Sequence, residues 1–263
     1  MFESLLLTGA AGALGRALRP AMRGWARTLR VSDIAPLERE SDNEEVVGCD
    51  LGDEPAMREL LAGVEAVVHM GGISTDAPFA PILNANIAGV YNLYESARIA
   101  GTRRIVFASS NHAIGFHPRS RRIDADDPQR PDSLYGVSKT FGESLSRFYY
   151  DRYGIETVAL RIGSCFPEPR DRRMLVTWLS YADLTELVRA SLFAAQVGHT
   201  IAFGASANRD SWWDNRLAAH LGWTPHDSSE PFRAKMEALP PVDPASPAEK
   251  FQGGAYVTMG PYE

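Results

Sequence analysis

The chain is expected to adopt an α/β fold built on a doubly wound parallel sheet, with a small C-terminal substrate-binding portion. Three observations predict it. Short, β-branched apolar runs alternate with longer helical patterns along most of the 263 residues. Those runs are apolar almost without interruption, as strands buried on both faces must be. A glycine-rich turn joins the first run to the first helical pattern.

Taken in order, SLLLTG is the first strand and a helix starts at about Ala13. LRVSDI and EVVGCDL are the next strands, EPAMRELLAG a helix, EAVVHMGG a strand, and a long helix runs around Asn86 to Ala100. RRIVFASS, the helix containing Tyr135, and TVALRIGS continue the alternation. After Ser164 the pattern loosens into FPEPRDRRM, then WLSYADLTELVRASLFAA, a strand HTIAFGAS, a helix rich in Trp and Leu, and a Pro-rich tail. One domain over residues 1–263 is expected, with residues 165–263 contributing most of the substrate-specific part.

Composition narrows the function. There are 27 basic and 33 acidic side chains, a formal net charge of −6, and no run of five or six basic residues. Nucleic acid and anionic membranes are therefore unsuited as partners. The N-terminal apolar run lacks a basic flank and the ~20 residues that cross a bilayer, so a cytoplasmic location is expected. Two distant cysteines, Cys49 and Cys165, in apolar segments suit a reducing compartment. The six histidines show no metal-ligand spacing, and no metal is expected.

TGAAGALGRAL places Gly9, Gly12 and Gly15 at the strand-to-helix switch. Such glycines permit a tight turn, let the backbone approach a pyrophosphate, and allow close helix packing. The N–H groups of the first helical turn, at Ala13 and Leu14, offer donors to phosphate. This is the fingerprint of a Rossmann-type dinucleotide site. Asp33 ends the second strand about 20 residues on, where a carboxylate accepts from adenosine ribose hydroxyls and repels a 2′-phosphate, so NAD is expected rather than NADP. By position alone, Asp50 and Leu51 fall near the adenine, and Met70, Gly71 and Gly72 of HMGGIS fall beside the cofactor.

SLYGVSK sets Tyr135 four residues before Lys139, on one helical face. A tyrosine with pKa about 10 needs a shift of roughly three units, ~4 kcal/mol, to act as a base near neutrality. The Lys139 ammonium is expected to provide much of it, an oxidised nicotinamide adds positive charge, and the lysine can also hold the nicotinamide ribose. The strand ending in Ser109, Ser110, Asn111 and His112 reaches the carboxyl edge of the sheet, where ligands bind. Ser110 is assigned as the hydroxyl that orients the reacting oxygen.

The set TGAAGALG, Asp33, SSN, YGVSK and LRIGSCFPEP resembles the extended short-chain dehydrogenase/reductase family. GGIS, SSNHAIGF, RIGSCFPEP, RRMLVTW, GASANRDSWWDN and FQGG resemble, more narrowly, its uronate dehydrogenases. The resemblance implies NAD-dependent oxidation of a hexuronic acid, glucuronate or galacturonate, at C1 to the aldarolactone, in a homo-oligomer. It implies Ser74, Asn111, His112 and Ser164 around the sugar, Cys165 near the nicotinamide through its backbone, and Arg173 on the substrate carboxylate. From the residues alone Arg170, Arg172 and Arg173 compete for that last role. Asn86 and Asn92 resemble the asparagine-bearing helix that lines the cofactor cleft, with helix packing or capping as the other reading, and Asp183 is expected to cap a helix. Nucleotide-sugar epimerases and dehydratases share the tyrosine, lysine and serine but usually carry a larger C-terminal domain. A non-catalytic NAD-sensing protein would be expected to have lost Tyr135 or Lys139.

Overall fold

A computed structural model describes residues 1–240 and 242–260. Residues 241 and 261–263 of the expected domain lie outside the described residues. The elements alternate from the start: β1 (Phe2–Thr8), α1 (Ala13–Met22), β2 (Ala26–Asp33), β3 (Glu44–Gly48), α2 (Glu54–Leu61) and β4 (Ala66–His69). Then come α3 (Phe79–Ile82), a π-helical turn (Leu83–Ala88), α4 (Gly89–Ala100), β5 (Arg104–Ser110), α5 (Leu134–Tyr153) and β6 (Glu156–Ile162). The remainder holds β7 (Ser164–Cys165), α6 (Met174–Thr177), β8 (Trp178–Leu179), α7 (Tyr181–Phe193), β9 (His199–Gly204), α8 (Arg233–Glu237) and α9 (Pro247–Lys250).

Among the described residues one seven-stranded sheet has the order β3-β2-β1-β4-β5-β6-β9, and every pairing in it is parallel. The order reverses between β1 and β4, and the crevice outside their carboxyl ends is the ligand position of this architecture. Side chains alternate across the sheet. Leu5, Leu7 and Val106 join a core shared with α1 and α7, while Leu6, Ile105 and Phe107 face α2, α4 and α5. Each fully buried Leu or Phe contributes about 1.5–3 kcal/mol. The close approach of α5 to β5 depends on Gly142, where any Cβ would run into the Phe107 ring.

Two expectations change, and one segment gains an assignment. The helix expected around Asn86 begins earlier, at Phe79, and passes through the π turn at Leu83–Ala88 before α4. Gly89 then packs so closely that a Cβ would lie 2.6 Å from the Leu51 Cβ. In WLSYADL, to which sequence alone assigns no element, Trp178 and Leu179 form a short strand paired with Ser164 and Cys165, and α7 follows from Tyr181. The Trp- and Leu-rich segment after β9 is a 3-10 turn, Arg216–Leu221, because Asn215 bonds both the N–H and the C=O of Phe203 and Trp213 pairs with Ile123.

Candidate active site

The β1–α1 turn is shaped by contact. Gly9 has φ +69°, and a Cβ there would lie 2.5 Å from the Met70 carbonyl carbon; at Gly15 a Cβ would collide with the Gly9 oxygen. Helix α1 starts without a side-chain cap, so its first N–H groups remain available to an anion. Around this turn lies a cavity of about 600 Å³. Gly9, Gly12, Ala13, Leu14 and Gly15 form one wall, Asp33, Asp50 and Leu51 a second, and Met70, Gly71, Gly72 and Ser74 a third.

Asp33 accepts from the Ala11 N–H at 2.9 Å and from the Ala35 N–H at 2.9 Å, which fixes the carboxylate at the cavity edge. Arg30 is drawn away to Glu45 and to the carbonyls of Leu60 and Ala62. The cradle therefore fits a dinucleotide whose adenosine ribose carries free hydroxyls. A more open groove of about 1110 Å³ runs along edge strand β9 past His199 and His220, and none of the predicted site residues lines it.

Asn86 does not line the cavity directly. Its carboxamide accepts from the Ile73 N–H at 2.8 Å, donates to the Ile73 carbonyl at 2.9 Å, and donates to Ser138 Oγ at 3.0 Å. It thus ties the 71–74 loop to α5. Asn92 donates to the Leu51 carbonyl, a packing role. Asp183 is not the cap of α7: Ser180 Oγ accepts from the Asp183 N–H, while the Asp183 carboxylate accepts from Ser206 Oγ and from the N–H groups of His226 and Asp227.

Helix α5 opens with Ser133 as N-cap, and its first turns bring Tyr135 and Lys139 inside, both buried. Ser110, at the end of β5, lies beside the tyrosine hydroxyl and pulls its pKa down. Burial outweighs that and pushes Tyr135 up to about 12. Lys139 Nζ donates to the Ala108 carbonyl at 2.8 Å and sits 5.5 Å from the Tyr135 ring centroid; burial brings it down to about 8. The ammonium is aimed at a carbonyl, and without the cofactor's charge low-dielectric burial dominates the phenol.

The other strand-end residues converge beside this pair. With its carboxamide turned to satisfy both polar atoms, Asn111 donates to the Ile162 carbonyl at 3.0 Å and accepts from Arg173 Nη2 at 2.5 Å. Arg173 also donates through Nε to the Gln252 carbonyl at 2.6 Å and through Nη1 to Ser164 Oγ at 3.3 Å. Ser164 in turn meets Thr177 Oγ1 at 2.9 Å. Burial lowers Arg173 to about 10. Among the described residues it forms no ion pair. The competing arginines are engaged elsewhere: Arg170 stacks on Phe166 at 3.8 Å, and Arg172 donates to the Glu237 and Leu239 carbonyls. Cys165 is a buried thiol whose pKa burial pushes up to about 12.

Four neighbours were missed from sequence. Asp76 accepts from the Tyr135 N–H at 3.1 Å. Asp132 Oδ2 meets His112 Nδ1 at 2.8 Å. Gln252 holds Arg173, and the Tyr256 ring stacks on His112 with centroids 3.7 Å apart. A readable signal existed for some of them: the Gly-Gly pair after Gln252 and the acid preceding the Ser133 cap in PDSLYG. Among the described residues no group of three or more His, Cys, Asp or Glu could hold a metal ion.

A phosphate cradle, an acid at the end of β2 and a buried Tyr–Lys–Ser group define a dinucleotide-dependent enzyme architecture. The chain belongs to the NAD dependent epimerase/dehydratase family, whose sequence profile matches residues 5–196, and within it to the uronate dehydrogenases. It is 55% identical over 262 residues to the uronate dehydrogenase of Pseudomonas putida, covering 99% of this chain and 98% of that one. It superposes on the glucuronic acid dehydrogenase of Chromohalobacter salexigens with a TM-score of 0.97 at 50% identity, covering 99% and 98%. A mutant of the Agrobacterium tumefaciens uronate dehydrogenase complexed with NAD gives 0.95 at 49% identity, again covering 99% and 98%.

Proposed function

We propose that this chain oxidises C1 of a hexuronic acid, glucuronate or galacturonate, with NAD, giving the aldarolactone. The observation that carries the reading is Arg173: a half-buried guanidinium beside Ser164 and Asn111, held by uncharged acceptors and without an ion-pair partner among the described residues. A guanidinium so placed favours a carboxylate, which it can grip bidentately. Relatives named for uronate oxidation at about half identity over nearly full length support the same substrate class.

The glycine turn and the first N–H groups of α1 would hold the cofactor pyrophosphate, and Asp33 the adenosine ribose hydroxyls. Asp50 and Leu51 would meet the adenine. Met70, Gly71 and Gly72, braced by Asn86, would flank the cofactor, Lys139 would hold the nicotinamide ribose, and the Cys165 backbone would sit near the nicotinamide. When bound, NAD would supply the hydride acceptor and, in its oxidised form, positive charge.

The protein's own residues handle the proton. Ser110 orients the C1 hydroxyl toward Tyr135, whose oxygen takes the proton as hydride leaves C1. With Tyr135 at about 12, ionising it at pH 7 is uphill by ~7 kcal/mol. To act as base the phenol must first give up its own proton, so positive charge beside it has to lower that cost. Lys139, at about 8, carries most of its proton at pH 7 and adds to that charge. Ser74, Asn111, His112 and Ser164 line the sugar, and Arg173 fixes its carboxylate end. Residues 165–263 provide most of this substrate-specific side within one domain, and the enzyme works as a cytoplasmic homo-oligomer.

The test is NAD reduction followed spectrophotometrically across hexuronates, neutral aldoses and UDP-sugars. Turnover is expected with glucuronate or galacturonate, and Tyr135→Phe should abolish it while NAD binding persists. Activity on UDP-sugars with none on any hexuronate would overturn the reading.

A further inference from the structure

Asp132 has no part in the chemistry above, yet it is built into the site with unusual constraint. Its carboxylate is fully buried. Oδ2 meets His112 Nδ1 at 2.8 Å, and Oδ1 accepts from Ser133 Oγ at 2.9 Å. Ser133 Oγ itself accepts the Gly136 N–H at 3.0 Å, so its own proton is committed to Asp132. The backbone makes room on two sides: a Cβ at either Gly115 or Gly253 would collide with Oδ2. The Gly253 N–H donates to the Gly115 carbonyl at 2.8 Å, and the Asp132 N–H to the His112 carbonyl at 3.3 Å, which closes the frame.

His112 lies between this carboxylate and the reacting groups. Its ring packs edge-on to Tyr135 at 5.8 Å and flat on Tyr256 at 3.7 Å, and the hydrogen bonds among the described residues use Nδ1, not Nε2. We infer that Asp132 is a positioning residue that fixes His112 with its proton on Nδ1, leaving Nε2 as a hydrogen-bond acceptor for a substrate hydroxyl. This rests on the reading of His112 as a sugar-side residue.

The tautomer follows from the partners. An ionised carboxylate can only accept, so a neutral imidazole facing it must carry the proton on Nδ1. Burial keeps His112 below its ordinary pKa, with Asp132 acting in the opposite sense; Arg173 and Asp76 are the other charges that face it. An Nε2 lone pair not used within the protein can take a bond from an O–H group but not from a carbonyl. The arrangement therefore selects a hydroxyl at that point of the sugar.

Asp132→Asn separates positioning from bulk structure. Ser133 Oγ–H fixes the new amide with its oxygen where Oδ1 was, so the NH2 group faces His112. Nδ1 then has to accept, and the proton moves to Nε2. In histidine-labelled protein the nitrogen shifts of wild-type His112 should report Nδ1–H with Nε2 unprotonated, and those of Asp132→Asn the reverse. The variant should lose roughly ten- to a hundred-fold in kcat/KM for the uronate with NAD affinity unchanged, the loss expected for a missing hydrogen bond to a buried polar group. In a His112→Ala background the same substitution should change kcat/KM less than about two-fold, because Asp132 acts through the imidazole.

An Nε2–H tautomer or an imidazolium in the wild-type protein at pH 7 would overturn the inference, whether or not the variant folds. So would equal losses from Asp132→Asn with and without His112, which mark a structural acid. Absence of turnover on any uronate, with the nitrogen shifts as expected, would instead strike at the substrate assignment.

Discussion

Replacing Arg173 with Met removes the charge while keeping an unbranched stem against Gly254, where a Cβ would approach the Arg173 Cδ to 2.7 Å. The drop from the ordinary 12.5 to about 10 corresponds to ~3 kcal/mol of unfavourable burial of the charged form. A substrate carboxylate opposite the guanidinium relieves that burden. Two charge-assisted hydrogen bonds to it are worth about 1.5–3 kcal/mol each, so the variant should lose roughly 10²- to 10⁴-fold in kcat/KM for glucuronate. Its folding stability should move little. The ~3 kcal/mol recovered offsets about 1 kcal/mol for each of the three acceptors that lose a donor, on Asn111, Ser164 and Gln252. NAD reduction rates for glucuronate and glucose, with urea melts of both proteins, provide the check. Equal proportional loss on the acid and the neutral sugar, or a stability loss well beyond ~3 kcal/mol, would make Arg173 a structural residue and refute the reasoning.

Glu143→Gln should fold poorly. It breaks a bidentate pair with the fully buried Arg161, both bonds 2.9 Å, and weakens the bond from Ser109 Oγ. Stranding that charge costs about 3–5 kcal/mol, a fall in Tm of roughly 6–20 °C by calorimetry; an unchanged Tm would show the pair contributes nothing. His69 should make the protein acid-sensitive. Burial brings it down to about 3 from 6.5, so below 6.5 the unfolded chain binds the extra proton and stability falls as pH drops toward 3. Between pH 7 and 5 the wild type should lose about 2 kcal/mol more than His69→Asn in urea melts, and parallel pH profiles for the two would refute it.

Much of this was readable from local pattern. The β1–α1 glycines, Asp33, and Tyr135 with Lys139 belong to short motifs whose spacing alone puts them on a turn, a strand end or one helical face. What could not be read is contact across long separations. Asp132 reaches His112 over twenty residues and Gln252 reaches Arg173 over seventy-nine, and no periodicity encodes either. The expected Trp-rich helix failed for a related reason: Asn215 competes for the Phe203 backbone, and side-chain bonding of that kind overrides apolar spacing. The depth at which Tyr135 is buried, the largest influence on its pKa here, is likewise not encoded by the neighbouring lysine.

The segment Gln252–Tyr256 shows why the C-terminal part belongs to the site. Gln252 is completely buried and fixed at its N–H by the His117 carbonyl, at Oε1 by Trp213, and at Nε2 by the Pro118 and Arg121 carbonyls. Only after those bonds is its own carbonyl placed to orient Arg173. Gly253 leaves room for Asp132, Gly254 for the Arg173 stem, and Tyr256 covers the His112 ring. Five consecutive residues thus set the direction of the carboxylate clamp and the packing of the imidazole, while β5 and α5 set the Ser110–Tyr135–Lys139 group independently. The setting of Arg173 and His112 thus depends on a segment that the Ser110–Tyr135–Lys139 group does not need. Substitutions in 252–256 should change which sugar is accepted before they change how a hydride is removed from it.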